Sequence, residues 1–199
     1  MKYNKNNTKR SKLLDTRVMW TVRILVVFII ALMVIAFIMP WWKLSAHHII
    51  AGKAGEVYIH SYGLRDTLIE GREWLKYDET PLYQTTLAWV FLFSSSVIIV
   101  LSTLLQGIRG PMLLGTVGFV YIMYGIITQI RLITRLNQLE IPLQGEIEIF
   151  YVDYQVPTTI VTNLLPYYSL VFVGGGLAIV LAVAWMAIIA RKKYIGISS

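Results

Sequence analysis

The chain has 199 residues, 56% of them hydrophobic and only 15% charged, with a mean hydropathy of +0.62. Soluble domains carry roughly a quarter charged residues, so this composition excludes an ordinary soluble globule and fits one small bundle of membrane helices. The net charge of +7 is concentrated at the two ends, beside apolar runs and with no aromatic interleaving on a polar face, which makes lipid rather than nucleic acid its partner.

The absence of cysteine excludes disulfides, thiolate metal sites and cysteine nucleophiles. Residues 1–17 read as a flexible basic cytosolic tail with no apolar period. Asn6-Asn7-Thr8 matches a glycosylation sequon, which a cytosolic tail would keep away from the transferase. The first span is expected over about residues 20–42. Its apolar run, Ile24 to Trp42, can cross roughly 30 Å of hydrocarbon as a helix. With no small-x-small cleavage site after Phe37, it reads as a retained signal anchor. Arg23 stands at the inner edge, where its long side chain can reach the headgroups.

An outer loop over 43–84 follows. Gly55-Glu56-Val57-Tyr58-Ile59-His60-Ser61-Tyr62-Gly63 predicts a strand between glycines. Asp66 to Tyr77, DTLIEGREWLKY, predicts an amphipathic helix whose mixed charges are solvated. The second span is placed at 85–105 and the third at 111–132. Gly107, Gly110 and Pro111 between them make a tight turn, so these two spans are antiparallel neighbours. Arg131 and Arg135 share one face, which carries the third helix outward past the bilayer.

The second outer loop, 133–166, holds a strand at Gly145 to Tyr154, with Glu146 and Glu148 on one face and Ile147 and Ile149 on the other. Pro157 is expected to end its pairing. A lone exposed strand is a liability, so the two outer strands are expected to pair with each other. The fourth span covers 167–190, and 191–199 form a cytosolic tail. The predicted class is a mainly α membrane protein: a four-helix transmembrane bundle with a small extracellular antiparallel β-sheet.

With both ends cytosolic, the inner segments hold eleven Lys and Arg with Asp15 as the one acidic residue, and the outer segments hold seven basic and ten acidic residues. That asymmetry obeys the positive-inside rule and places both termini of a multi-pass cell-membrane protein in the cytosol. The spans hold almost no ionisable residue, which disfavours proton pumps and charge-relay transporters. Gly115, Gly118 and Gly125 in the third span, and Gly174-Gly175-Gly176 with Ala178 in the fourth, allow close helix approach, either within the bundle or to another subunit. His47, His48 and His60 are the only histidines; adjacent His47 and His48 point to opposite sides of a strand, so they read as solvated or interfacial rather than as metal ligands. No phosphate-cradling loop, nucleophile elbow, HExxH or dinucleotide fingerprint is present, and neither catalysis nor a cofactor is expected.

The string Pro40-Trp41-Trp42-Lys43-Leu44-Ser45-Ala46 resembles the exit of the first span in claudins, which reads Pro-x-Trp, then a basic residue, an aliphatic one, Ser or Thr, and Ala. Gly63-Leu64, 21 positions after Trp42, resembles the start of the claudin Gly-Leu-Trp motif. Arg65 stands in place of the motif's Trp, the paired loop cysteines are absent, and the end Gly196-Ile197-Ser198-Ser199 lacks the family's Tyr-Val. The resemblance implies a claudin-like fold in which Trp41, Trp42, Gly63 and Leu64 are structural; Trp41 and Trp42 read equally as headgroup anchors. It implies a non-enzymatic protein that meets other membrane proteins, or copies of itself, through its outer sheet. Glu146, Glu148, Tyr151 and Asp153 are the candidate contact residues. The alternatives are an accessory structural subunit of a larger membrane enzyme or respiratory complex, and a conduit lined by Glu146 and Glu148.

Overall fold

A computed structural model describes residues 5–48, 52–66, 82–105, 107–150 and 157–197. Four long helices run through the chain: α1 (Lys5–Ile38), α2 (Leu82–Ser102), α3 (Arg109–Gln138) and α4 (Ser169–Ile197), the last entered through a 3-10 turn at Pro166–Tyr168. Each holds a stretch long and apolar enough to cross a membrane: Thr16–Ile38, Tyr83–Ser102, Arg109–Gln138 and Pro166–Arg191. The chain is therefore a multi-pass membrane protein by length and composition.

Five strands form one antiparallel sheet between the helices: β1 (Pro40–His48), β2 (Gly52–His60), β3 (Gly63–Asp66), β4 (Gly145–Phe150) and β5 (Pro157–Leu164), in the order β3-β2-β1-β5-β4. The predicted small antiparallel sheet is present, but its two predicted strands are not partners. β1 and β5, neither of them expected, lie between β2 and β4 and pair directly from Trp42 opposite Leu164 to His48 opposite Thr158. Pro157 does not end pairing either. It opens β5 opposite Phe150, a position where a strand needs no donor from proline. Tyr151 to Tyr154 and the predicted helix from Thr67 to Tyr77 lie outside the described residues.

The first helix differs from expectation at both ends. It already includes Lys5 to Arg17, a run with no Gly or Pro to break it. It stops at Ile38, because Pro40 lacks an N–H and disfavours helical geometry in the residue before it. Trp41 and Trp42 are consequently strand residues, each only 1% exposed.

Two cores share the work. Within the bundle, Val22, Val26, Ile29 and Met33 form one stripe of α1 that packs with Leu114, Val117 and Tyr121 of α3 and Val171, Ala178 and Ala182 of α4. At the sheet, the inward residues Trp42, Leu44, Ile59 and Ile160 pack on Leu132 and Leu136 of α3. A 30-residue helix is about 45 Å long, so α3 outruns a hydrocarbon core of roughly 30 Å by some ten residues. Those last residues form the platform on which the sheet rests.

The end of α3 is shaped for this. Glu140 adopts a left-handed φ of 57°, its N–H bonds to Asn137 O at 3.2 Å, and Ile141 N–H bonds to Leu136 O at 3.0 Å. This is a Schellman closure, completed by apolar contact in the cluster that holds Leu136 and Ile141.

The small residues of α3 and α4 are used inside the bundle. A Cβ on Gly118 would sit 2.7 Å from Gly175 O and 2.8 Å from Ala178 Cβ, and one on Gly125 would sit 2.6 Å from Val171 Cγ1. Gly174 faces Met33 of α1, whereas Gly176 has nothing near it.

Candidate functional site

The junction of sheet and bundle is where the polar chemistry of the described residues gathers. A helix leaves its last four carbonyls without intrahelical donors, and close to lipid they cannot rely on water. For α1 each of the four finds a donor from the residues that follow. Ile35 O accepts from Met39 N–H at 2.9 Å, and Ala36 O from the Trp41 indole Nε1–H at 2.7 Å. Phe37 O accepts from Ser61 Oγ at 3.2 Å, and Ile38 O lies 2.8 Å from His60 Nδ1. A carbonyl only accepts, so Nδ1 of His60 carries the proton in this bond.

The Ser61-Tyr62 turn between β2 and β3 is thereby a hub. Tyr124 of α3 donates to Ser61 O at 2.9 Å, and Tyr62 packs on Phe37 and Trp89 with ring centroids 5.3 and 5.5 Å apart. His60 stacks on Tyr62 at 5.0 Å. The turn is followed by Gly63 with φ of +133°, a backbone conformation that side-chain-bearing residues rarely adopt. Gly63 pairs with His60 and Leu64 with Ile59 as β3 begins. Of the motif residues, Gly63 thus supplies a turn geometry that the hub requires.

Trp41 and Trp42 face opposite ways, as strand neighbours do. Trp41 joins the bundle core, while Trp42 lies under the sheet and donates its indole N–H to Leu143 O at 2.8 Å, tying β1 to the segment leading into β4. On the outer face, Lys43 makes an ion pair with Glu56 at 2.6 Å and stands over the Tyr58 ring. The hydrogen bond from Lys43 to the Glu56 carboxylate holds the ammonium group above its ordinary pKa range.

A cavity of about 700 Å³ opens beside the hub, between the sheet, α2 and α3. Its polar lining includes Gln84, Tyr124, Thr128, Arg131, Arg135 and Gln138, and its apolar lining includes Leu87, Ala88 and Phe91. Arg131 donates to Gln84 Oε1 at 3.3 Å across the gap between the helices.

The predicted contact residues lie elsewhere. Glu146 and Glu148 are exposed on β4, an edge strand, with Ile147 turned inward between them. Tyr151 and Asp153 lie outside the described residues. His47 and Glu148 stand in one row of the sheet with Thr159 between them, and among the described residues no group of three His, Asp or Glu is placed to hold a metal ion. The reading from sequence missed the cavity. Tyr124, Thr128, Arg131, Arg135 and Gln138 follow helical spacing and could be read as a stripe, but the tight turn that makes the second and third spans neighbours does not say which stripe faces the second span.

Compared with family models and with curated proteins, the chain matches none.

Proposed function

We propose that this chain is a non-enzymatic, claudin-like protein of the cell membrane that holds its sheet outside the cell and both termini in the cytosol. The sheet then serves for contacts with other membrane proteins or with copies of this chain. One observation carries the reading: among the described residues β4 is an edge strand, it presents Glu146 and Glu148 outward, and its sheet packs on Leu132 and Leu136 of α3. Edge strands invite pairing, and charged side chains restrict which partners are accepted. The Pro40-Trp41-Trp42 string at the start of β1 and Gly63-Leu64 at the start of β3 support the claudin-like reading. The excess of Lys and Arg on the side of the chain ends supports the orientation.

Deleting β4 would expose Ile160 and Thr162 and damage the sheet, so substitution is the cleaner test. The double variant Glu146→Lys, Glu148→Lys leaves the inward residues untouched. Crosslinking in native membranes is expected to trap the wild type in species larger than the monomer and the variant as monomer, with equal thermal stability. Equal crosslinked yields would remove the edge-contact reading. Orientation can be tested separately, because the chain has no cysteine of its own. An impermeant maleimide added to intact cells is expected to label Asn163→Cys, and Thr8→Cys only after permeabilisation; the reverse pattern would invert the topology.

A second reading, an accessory subunit of a larger membrane enzyme or respiratory complex, is favoured by α2. This helix packs least against the others and turns Leu87, Val90, Val97 and Leu101 outward at the spacing of a helix seam. Native purification separates the readings: a subunit co-purifies with one catalytic partner, while a contact protein runs alone or with itself.

A further inference from the structure

We propose that the edge of β4 takes an extended segment of a different protein, with Lys or Arg at alternate positions around an apolar residue, and rejects the same edge of a second copy. The inference rests on the edge-contact reading and names the chemistry of the partner.

Alternation along β4 puts Glu146 and Glu148 on the outward face, both exposed, and turns Ile147 toward α3. Their neighbours on β5 are Val161 and Thr159, which carry no charge. Among the described residues neither carboxylate enters an ion pair. Elsewhere the same sheet meets a glutamate with a cation from the adjoining strand: Glu56 of β2 takes the ammonium of Lys43 on β1 at 2.6 Å. For Glu146 and Glu148 the strand on one side supplies no cation, and the other side is the edge. The segments outside the described residues bring no surplus of positive charge to this end of the chain. Residues 67–81 hold two basic against four acidic residues, and 151–156 hold Asp153 alone.

A second copy in the same membrane would bring up its β4 antiparallel about a twofold axis, with both outward faces on one side. Directly opposed residues of antiparallel strands point to the same face, so outward residues meet outward residues. Centred on Ile147, Glu146 of each copy stands opposite Glu148 of the other. Centred on Glu148, the two Glu148 side chains oppose each other. A slip by one residue turns the outward face of one copy inward. Registers that escape the glutamates pair half of β4 or less. Like charges directly opposite destabilise a strand pair, so the edge excludes itself. The other described edge, β3, carries one cation, Arg65, followed by Asp66, and so offers no alternating pair.

An incoming strand bonds main chain to main chain along an edge, and its side chains decide which strand is accepted. A basic residue opposite each glutamate makes two opposite-charge pairs, and an apolar residue between them meets Ile147 on the inward face. The accepted pattern is basic, apolar, basic.

The probe is the chain itself with Glu146→Lys and Glu148→Lys, which converts the edge to that pattern and leaves Ile147 in place. The wild type has no cysteine, so Ser199→Cys carries a donor or acceptor dye in either form. Energy transfer is read between full-length chains in phosphatidylcholine proteoliposomes. Wild type is expected to associate with the double variant about three- to tenfold more tightly than either form associates with itself. Both should melt at the same temperature, because the substituted positions are exposed. Glu146→Gln with Glu148→Gln removes only the repulsion and should self-associate more tightly than the wild type. A wild type that pairs with itself as tightly as with the double variant would show that a second copy occupies the edge. A mixed pair no tighter than either form alone, or glutamine substitution without effect, would show that charge does not select the occupant. Each of these results overturns the proposal, and crosslinks of the wild type that persist in native membranes would leave the edge-contact reading standing.

Discussion

Trp42→Ala is expected to lower stability by about 3–5 kcal/mol, the range for truncating a buried aromatic to alanine. The side chain is 1% exposed and packs between β1 and the platform residues Leu132 and Leu136. Its removal leaves a void where two layers meet, and also strips Leu143 O of its indole donor, a loss of about 1 kcal/mol on its own. The measurement is thermal unfolding in detergent together with hydrogen exchange. Amides of β1 and β5 should exchange faster, while those of α1 and α4 deep in the bundle change little. Trp42→Phe separates the two contributions, since it keeps most of the volume and loses the hydrogen bond. An alanine variant with unchanged melting and exchange would mean that Trp42 does not hold the sheet to α3.

Gly118→Val is the second large effect, and it acts within the membrane. A Cβ there meets a backbone oxygen of Gly175 and the Cβ of Ala178 at distances below van der Waals contact, and neither can rotate away. Overpacking of this kind costs about 1–3 kcal/mol, and the upper end is expected because a backbone atom is involved. Helix association in lipid depends on close packing rather than on a hydrophobic drive, so separating α3 from α4 removes the main force between them. Gly176→Ala is the control, a glycine of α4 that faces away from this contact. With nothing near its Cβ, it should leave the melting temperature unchanged or raise it, since alanine favours a helix interior over glycine by roughly 0.5–1 kcal/mol. Equal melting temperatures for the two variants would show that the α3–α4 contact contributes little to stability.

Much of the layout was readable from local pattern. The spans are long apolar runs, and the turn between the second and third follows from Gly107 and Pro111. The alternation Glu146, Ile147, Glu148 is a period-two signal, and the structure keeps it: the isoleucine faces the core and both glutamates are exposed. The strand misassignments have a common cause. β1 begins immediately after a membrane helix, so its apolar residues Trp41, Trp42 and Leu44 read as the continuation of the span. β5 is Thr-rich but opens on a proline, which reads as an ending. In both cases the deciding partner is the other strand, and the two are separated by more than a hundred residues.

The sequence by itself determined what kind of molecule this is. Apolar length against bilayer thickness yields four spans, and period-two alternation yields strands with one polar face, because both signals are local to each segment. Only the tertiary structure decided that β1 and β5 hold the centre of the sheet and that Trp41 and Trp42 serve two different cores. It also decided that the His60-Ser61-Tyr62 turn returns to close the end of α1, and which face of α3 meets its expected neighbour α2. These are pairings between segments far apart in the chain, selected by which donors reach which carbonyls and which shapes pack. No local period encodes them.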